Sequence, residues 1–265
     1  MRIETVETDS FTMDYFKFGH GKEVLVILPG LSVQSVMNSA NEIAKSYRSL
    51  TCDFTVYVFD RRKELPPVYS PYEIAHDTAQ ALLALGLTRV CVFGASLGGM
   101  IAMSIAVEQP SLVKKLVLCS TSARVVEDQF RVVEEWVRLA KAGDSEGLYL
   151  AFGKALYPQE TYEKLQRILV MVSKSVTDEE LGRFIVLAES MRGFDILNDL
   201  GRITCPVLVI GDEIDQILGA HESVLISDHL GNRTDSRLYF YSGYGHAVYD
   251  TASDFKERMF AFLKE

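Results

Sequence analysis

Ser96 stands in the segment Gly94-Ala95-Ser96-Leu97-Gly98-Gly99. An apolar run, Val90-Cys91-Val92-Phe93, precedes it, and a second, Met100 to Val107, follows. The first reads as a buried strand of a parallel sheet and the second as a buried helix. Between them the chain must reverse within a few residues, with a serine at the apex. An apex of this kind holds strained backbone, so the positions two residues away must be small. Gly94 and Gly98 meet that demand, and Gly99 lets the helix pack close to the strand. Gly-x-Ser-x-Gly between strand and helix is a nucleophile elbow, and the chemistry on offer is attack of a hydroxyl on a carbonyl.

A serine hydroxyl needs an imidazole to take its proton, and the imidazole needs a carboxylate to fix its tautomer. In elbow proteins these follow in the order Ser, acid, His. Both are present. Cys205-Pro206-Val207-Leu208-Val209-Ile210-Gly211 reads as a strand, and Asp212, Glu213 and Asp215 come directly after it. Ser236 to Tyr241 reads as another strand, leading through Ser242-Gly243-Tyr244-Gly245 to His246, ahead of a final helix from Ala252 to Leu263. Attack on a carbonyl also needs N–H groups to meet the developing oxyanion. The residue after the nucleophile, Leu97, supplies one at the positive end of its helix. The other should come from Pro29-Gly30-Leu31-Ser32, after the strand Val24–Leu28.

These segments together resemble the α/β-hydrolase fold family, in its single-domain, lid-bearing form, from about Glu23 onward. Pro206 to Asp215 matches the family's Pro-x-Leu-x-Ile-Gly-x-x-x-Asp segment, and Gly245, His246 and Asp250 match Gly-His-x-x-x-Asp. The resemblance implies Asp215 as the acid, with Asp212 next, and Leu31 as the second oxyanion donor. The family's alternative acid position is empty here, since Ser120-Thr121-Ser122-Ala123 carries no carboxylate. The histidine usual before the oxyanion-loop glycine is replaced by Pro29. The resemblance implies a serine hydrolase acting through an acyl-enzyme on a small, mostly apolar ester, thioester or activated carbonyl compound. Acyl transfer or perhydrolysis on the same residues, or a non-catalytic ligand-binding relative, are the alternatives.

The elements that must position these residues alternate strand and helix, which implies a mostly parallel sheet with helices on both faces. Strands are expected near Arg2–Thr5, Phe11–Phe18, Glu23–Leu28, Thr55–Asp60 and Lys115–Cys119. Helices are expected over Ser35–Ser49 and from Pro71 to Leu85. Arg61 to Ser70 reads as a solvated polar loop. The pattern changes between Ala123 and Leu197, where helices are expected over Val126–Ala142, Ser145–Leu156, Gln159–Ser173 and Asp178–Met191, the last capped by Thr177. This stretch, 123–197, reads as a helical lid on a core made of 1–122 and 198–265. Its apolar residues, Trp136, Phe152 and Leu156 among them, are expected partly to pack the core and partly to roof Ser96.

The 265 residues suit one such domain, with 48% hydrophobic and 24% charged residues and a mean hydropathy of +0.10. A net charge of −9 argues against nucleic acid or an anionic membrane surface as partner; the partner that the resemblance implies is a small-molecule substrate. No signal peptide and no apolar run of membrane-spanning length is visible. Cys91, Cys119 and Cys205 fall in or beside core strands and read, with Cys52, as free thiols of a cytoplasmic protein. Cys91 and Cys119 are expected as neighbours across the sheet, without a disulfide. His20, His76, His221 and His229 read as solvent-facing or capping residues. No cofactor and no metal site is expected, and the oligomeric state is left open.

Overall fold

In the computed structural model, which describes residues 1–231 and 233–265, eight strands form one sheet. They are β1 (Ile3–Glu7), β2 (Thr12–Gly19), β3 (Glu23–Leu28), β4 (Phe54–Arg62), β5 (Val90–Ala95), β6 (Val113–Cys119), β7 (Val207–Asp212) and β8 (Ser236–Tyr241). Their spatial order is β1-β2-β4-β3-β5-β6-β7-β8. The β1/β2 and β2/β4 pairs are antiparallel, and every pair from β4/β3 to β7/β8 is parallel. β5 and β7 are buried along their whole length, as central parallel strands covered on both faces must be. Alternation along β5 sends Val90 and Val92 into one core layer and Cys91, Phe93 and Ala95 into the other.

Helices α2 (Pro71–Ala84), α3 (Leu97–Glu108) and α8 (Ala220–His229) cover one face. Helices α1 (Ala40–Ser46), α9 (Val248–Thr251) and α10 (Phe255–Lys264) cover the other. α2 starts where its proline suggests: Ser70 caps it, with Glu73 reaching back to close a capping box. Between β6 and β7 lie four helices, α4 (Glu127–Lys141), α5 (Ser145–Leu156), α6 (Gln159–Ser173) and α7 (Asp178–Glu189). Thr177 and Glu180 form the expected capping box on α7. The two ends of this insert meet at a short antiparallel neck. Val125 N–H donates to the Phe194 carbonyl and Ile196 N–H to the Ala123 carbonyl, each at 2.8 Å, around an Arg124/Asp195 bridge.

Four expectations need correction. The helix expected over Ser35–Ser49 is broken into a 3-10 turn (Val36–Ser39), α1, and a second 3-10 turn (Arg48–Leu50), with Ser35 capping the first. The final helix begins at Phe255, because Ala252 is extended and separates it from the short α9. β4 runs on to Arg62, held there by pairing of Arg62 with Met13, so Arg61 is buried strand and not solvated loop. Cys91 and Cys119 sit on adjacent strands, but the register pairs Cys91 with Lys115 and Cys119 with Ala95, which sets them four residues apart.

Candidate active site

Because β3, β5, β7 and β8 run parallel, their C-terminal ends reach one edge of the sheet. From that edge come Pro29-Gly30-Leu31, Ser96, Asp215 and His246. The elbow is as tight as its glycines suggest. Ser96 has φ 53° and ψ −123°, a conformation that costs roughly 1–3 kcal/mol outside glycine. A Cβ on Gly94 would lie 2.4 Å from the Gly98 carbonyl oxygen, and one on Gly98 only 1.9 Å from that of Leu28. Gly99 leaves room for Thr121, whose hydroxyl donates to the Ser96 carbonyl at 2.7 Å. Ser96 N–H is tied to the Cys119 carbonyl at 3.0 Å. Together these contacts hold the strained apex.

His246 and Asp215 are paired. The imidazole Nδ1 lies 2.8 and 3.0 Å from the two Asp215 oxygens, and both side chains are almost wholly buried. Oδ1 of Asp215 also accepts the Ile217 N–H at 2.9 Å and the Leu218 N–H at 3.3 Å. Burial alone would raise the Asp215 pKa. The charge of His246, the hydrogen bond from it and the two backbone N–H groups outweigh burial and hold the carboxyl below the ordinary range. With Nδ1–H donating to this carboxylate, Nε2 is left as the acceptor.

Asp212, the competing acid, is otherwise employed. It is fully buried, and its Oδ1 accepts from Ile214 and Gly245 N–H while Oδ2 accepts from Tyr244 N–H, all at 3.0 Å. It ties the end of β7 to the histidine loop. Glu213 is exposed.

Ser96 and His246 line the same narrow cavity, of about 20 Å³, together with Gly30 and Leu31. Among the described residues no hydrogen bond joins the Ser96 hydroxyl to the ring. A relaxed serine–imidazole contact is common in unliganded sites. Val133, Trp136, Phe152, Leu156 and Met191 of the insert roof the cavity, so its walls are largely apolar. Trp136 and Phe152 meet edge to face at 4.6 Å, and Phe152 leans on Phe184 at 6.2 Å. The space holds about one water molecule, so a substrate must displace part of this roof.

Leu97 begins α3, where its N–H has no intrahelical partner, and Leu31 borders the cavity beside Gly30. A Cβ on Gly30 would stand 3.1 Å from the Ser96 Cβ, so this loop lies directly over the serine.

No local pattern of residues marks what holds that loop. Arg61, only 4% exposed, donates from Nη2 to the Pro29 carbonyl at 2.6 Å. Burial pushes its pKa down to about 10, with Asp60 opposing the fall, so the guanidinium stays charged at neutral pH. Arg183 of α7 locks the same strand end, donating to Asp60 at 3.2 Å and to the Arg61 carbonyl at 3.0 Å. Arg62 turns away to Asp77 at 3.4 Å. The loop that lacks the family's usual histidine is therefore braced by a buried arginine from the neighbouring strand. Thr121 was missed as well, since a Ser-Thr-Ser run after a strand says nothing of which hydroxyl faces the elbow.

His20, His76, His221 and His229 are all exposed, and none of them lines the cavity. The four cysteines are free, Cys52 exposed and the other three buried. No group of three or more metal-ligating side chains occurs among the described residues, and no helix among them is long and apolar enough to cross a membrane.

Residues 23–253 match the model of the alpha/beta hydrolase fold family, and the chain belongs to that family. It is an enzyme of the hydrolase class. Among curated relatives it is similar to proteins named "Putative carbamate hydrolase RutD". The Agrobacterium fabrum protein is 27% identical, over 81% of this chain and 85% of its own length. That of Caulobacter vibrioides is 26% identical, over 92% and 91%. Among solved structures, an alpha/beta hydrolase enzyme from a Medee basin deep-sea metagenome library superposes with a TM-score of 0.87 at 21% identity, covering 99% of this chain and 98% of that one. The enol-lactonase of Burkholderia xenovorans superposes with a TM-score of 0.83 at 18% identity, over 99% and 100%.

Proposed function

We propose that the protein is a serine hydrolase that works through an acyl-enzyme on a small, mostly apolar ester, thioester or other activated carbonyl compound, carbamates included. The observation that carries this reading is the Asp215–His246 pair, at 2.8 Å, opening onto the same roofed cavity as a serine in a strained elbow. Ser96 Oγ attacks the carbonyl carbon while His246 Nε2 takes its proton. Asp215 holds the ring in the tautomer that leaves Nε2 free and stabilises the imidazolium that forms. The Leu31 and Leu97 N–H groups receive the charge that moves to the carbonyl oxygen. His246 then returns the proton to the leaving group, and water repeats the sequence to release the acid.

The insert, 123–197, is the lid of this site, joined to the core at its neck. The roof of Trp136, Phe152 and Leu156 favours apolar acyl or leaving groups near the reacting carbon. Free, buried thiols suit a cytoplasmic setting.

A fluorophosphonate probe tests the reading. A single adduct in the intact mass, mapped to Ser96 and absent from Ser96→Ala, supports it. A wild-type protein that takes up no probe, and turns over none of a panel of short-chain esters, overturns it.

A further inference from the structure

A second cavity, of about 440 Å³, lies against the first. The two share Gly30, Leu31, Phe152, Leu156 and Tyr249 as common walls, so the larger space opens beside the reacting centre on the side of the oxyanion loop. Its walls are also largely apolar, with a group of polar side chains among them. Tyr47, Tyr157, Tyr249 and Asp250 all line it, and none of these four side chains has a hydrogen-bond partner among the described residues. Tyr47 is buried, Tyr157 and Tyr249 are half-buried and Asp250 is exposed, so these side chains are open to the cavity and free to meet a ligand. Four polar side chains with no protein partner, lining one cavity next to a nucleophile, can receive a polar group.

The groups themselves narrow what that is. Burial keeps all three phenols protonated across the neutral range, with the Tyr157 pKa pushed up to about 12 and those of Tyr47 and Tyr249 well above their ordinary value. They can therefore donate to an acceptor oxygen. Asp250 offers acceptor oxygens to an N–H or O–H group. A carboxylate or phosphate would be repelled by Asp250. A free ammonium would meet Lys256, which lies against the same cluster, its Nζ donating to the Tyr249 carbonyl and standing 5.5 Å from the centre of the Tyr47 ring.

From this convergence we infer that the second cavity is a substrate subsite for an uncharged polar group carrying both a hydrogen-bond donor and an acceptor, such as a primary amide or a hydroxyl, with Tyr157, Tyr249 and Asp250 as its specificity-determining residues. This deepens the serine-hydrolase reading and rests on it. The substrate then has two ends: an apolar portion under Trp136 and Phe152, and an amide- or hydroxyl-bearing portion in the tyrosine-lined space.

The test is made by calorimetry in the Ser96→Ala protein, where binding is read without turnover. Two pairs of esters of matched shape serve as probes. Carbamoylmethyl butyrate is set against isobutyl butyrate, which places the amide on the alcohol half. Ethyl succinamate is set against ethyl 4-methylpentanoate, which places it on the acyl half. The Kd ratio within each pair is compared before and after adding Tyr157→Phe, Tyr249→Phe or Asp250→Asn. For one pair the preference for the amide is expected to fall about tenfold in at least two of the three variants, the effect of one lost hydrogen bond. Ratios that move less than twofold in every variant, for both pairs, overturn the inference. Fluorophosphonate labelling of the wild type is scored separately, so failure of the subsite and failure of the Ser96 reading are told apart.

Discussion

Replacing Asp215 by Asn, side by side with Asp212→Asn, discriminates between the two acids on structural grounds. Oδ1 of Asp215 accepts two backbone N–H groups, from Ile217 and Leu218. An asparagine at 215 must keep its carbonyl oxygen there, because an NH₂ group would face two donors. The amide nitrogen is then forced into the Oδ2 position, 2.8 Å from Nδ1 of His246. Facing a donor, Nδ1 must become the acceptor, and the ring proton moves to Nε2. The imidazole then presents an N–H where the serine proton has to go. The fold is unchanged, but the base is in the wrong tautomer, and such a change lowers kcat by about 10⁴-fold, or ~5 kcal/mol. Asp212→Asn has a different effect. Its carbonyl oxygen keeps the two N–H groups at Oδ1, so it loses one of three backbone bonds, that from Tyr244, and leaves the ring tautomer alone. The expected result is a stability loss of about 1–3 kcal/mol with kcat within about tenfold of wild type. Stopped assays on a short-chain p-nitrophenyl ester, with denaturant melts on the same samples, read both. A fall of less than tenfold in kcat for Asp215→Asn, or a larger fall for Asp212→Asn in folded protein, refutes this assignment of the acid.

Arg61→Met frees the Pro29 carbonyl, and kcat/KM is expected to drop about 10- to 100-fold with the change mostly in kcat, measured by steady-state kinetics on folded protein. Gly98→Ala drives a methyl group into the Leu28 carbonyl, and soluble expression or a stability loss above ~4 kcal/mol by urea melt checks it. Phe152→Ala removes the edge-to-face partner of Trp136 and deepens the roof, so ester chain-length preference should shift to longer acyl groups in a p-nitrophenyl ester series, with Tm lowered. For Asp250, burial raises the pKa in the folded chain, with Lys256 opposing. The folded state therefore holds that proton more tightly than the unfolded state, and stability falls as pH rises from the ordinary value of 3.8 through the raised one. Asp250→Asn is thus expected to weaken this pH dependence, with variant and wild type alike at low pH and the variant the less sensitive as pH rises, read by calorimetric scans.

The strands that carry Ser96 and lead to Asp215 were legible because β5 and β7 are uninterrupted apolar runs, the signature of buried parallel strands, whereas β8, which leads to His246, is only partly buried and was read from its alternation and the glycine loop after it. The elbow was legible for a steric reason: only glycine tolerates the approach of the Leu28 and Gly98 carbonyls. Arg61 was not legible. Its burial follows from pairing of β4 with β2 as far as Met13, and a strand extended by a non-local partner carries no local mark. The offset of Cys91 from Cys119 was hidden for the same reason, since register is a property of two segments. The helix over Ser35–Ser49 failed at its edges, where Ser35 and Asn38-Ser39 favour turns over a continuous α-helix. The second cavity was out of reach too, because Tyr47, Tyr157 and Asp250 come from three separate parts of the chain.

The neck between Ala123 and Ile196 has a consequence for how the chain can change. Both ends of the insert are pinned a single backbone bridge apart, so the sheet experiences some seventy residues as it would a tight hairpin. Loop-closure entropy grows only with the logarithm of length, about 0.6 kcal/mol for each doubling, so the core is nearly indifferent to how much chain hangs from that neck. Under the proposed reading, selectivity then sits on a piece whose length the core hardly constrains, provided the Arg183 bonds to Asp60 and to the Arg61 carbonyl are kept. A chimaera that keeps residues up to Val125 and from Phe194 onward, and carries another relative's helices between them, should retain the reacting groups while adopting a foreign appetite.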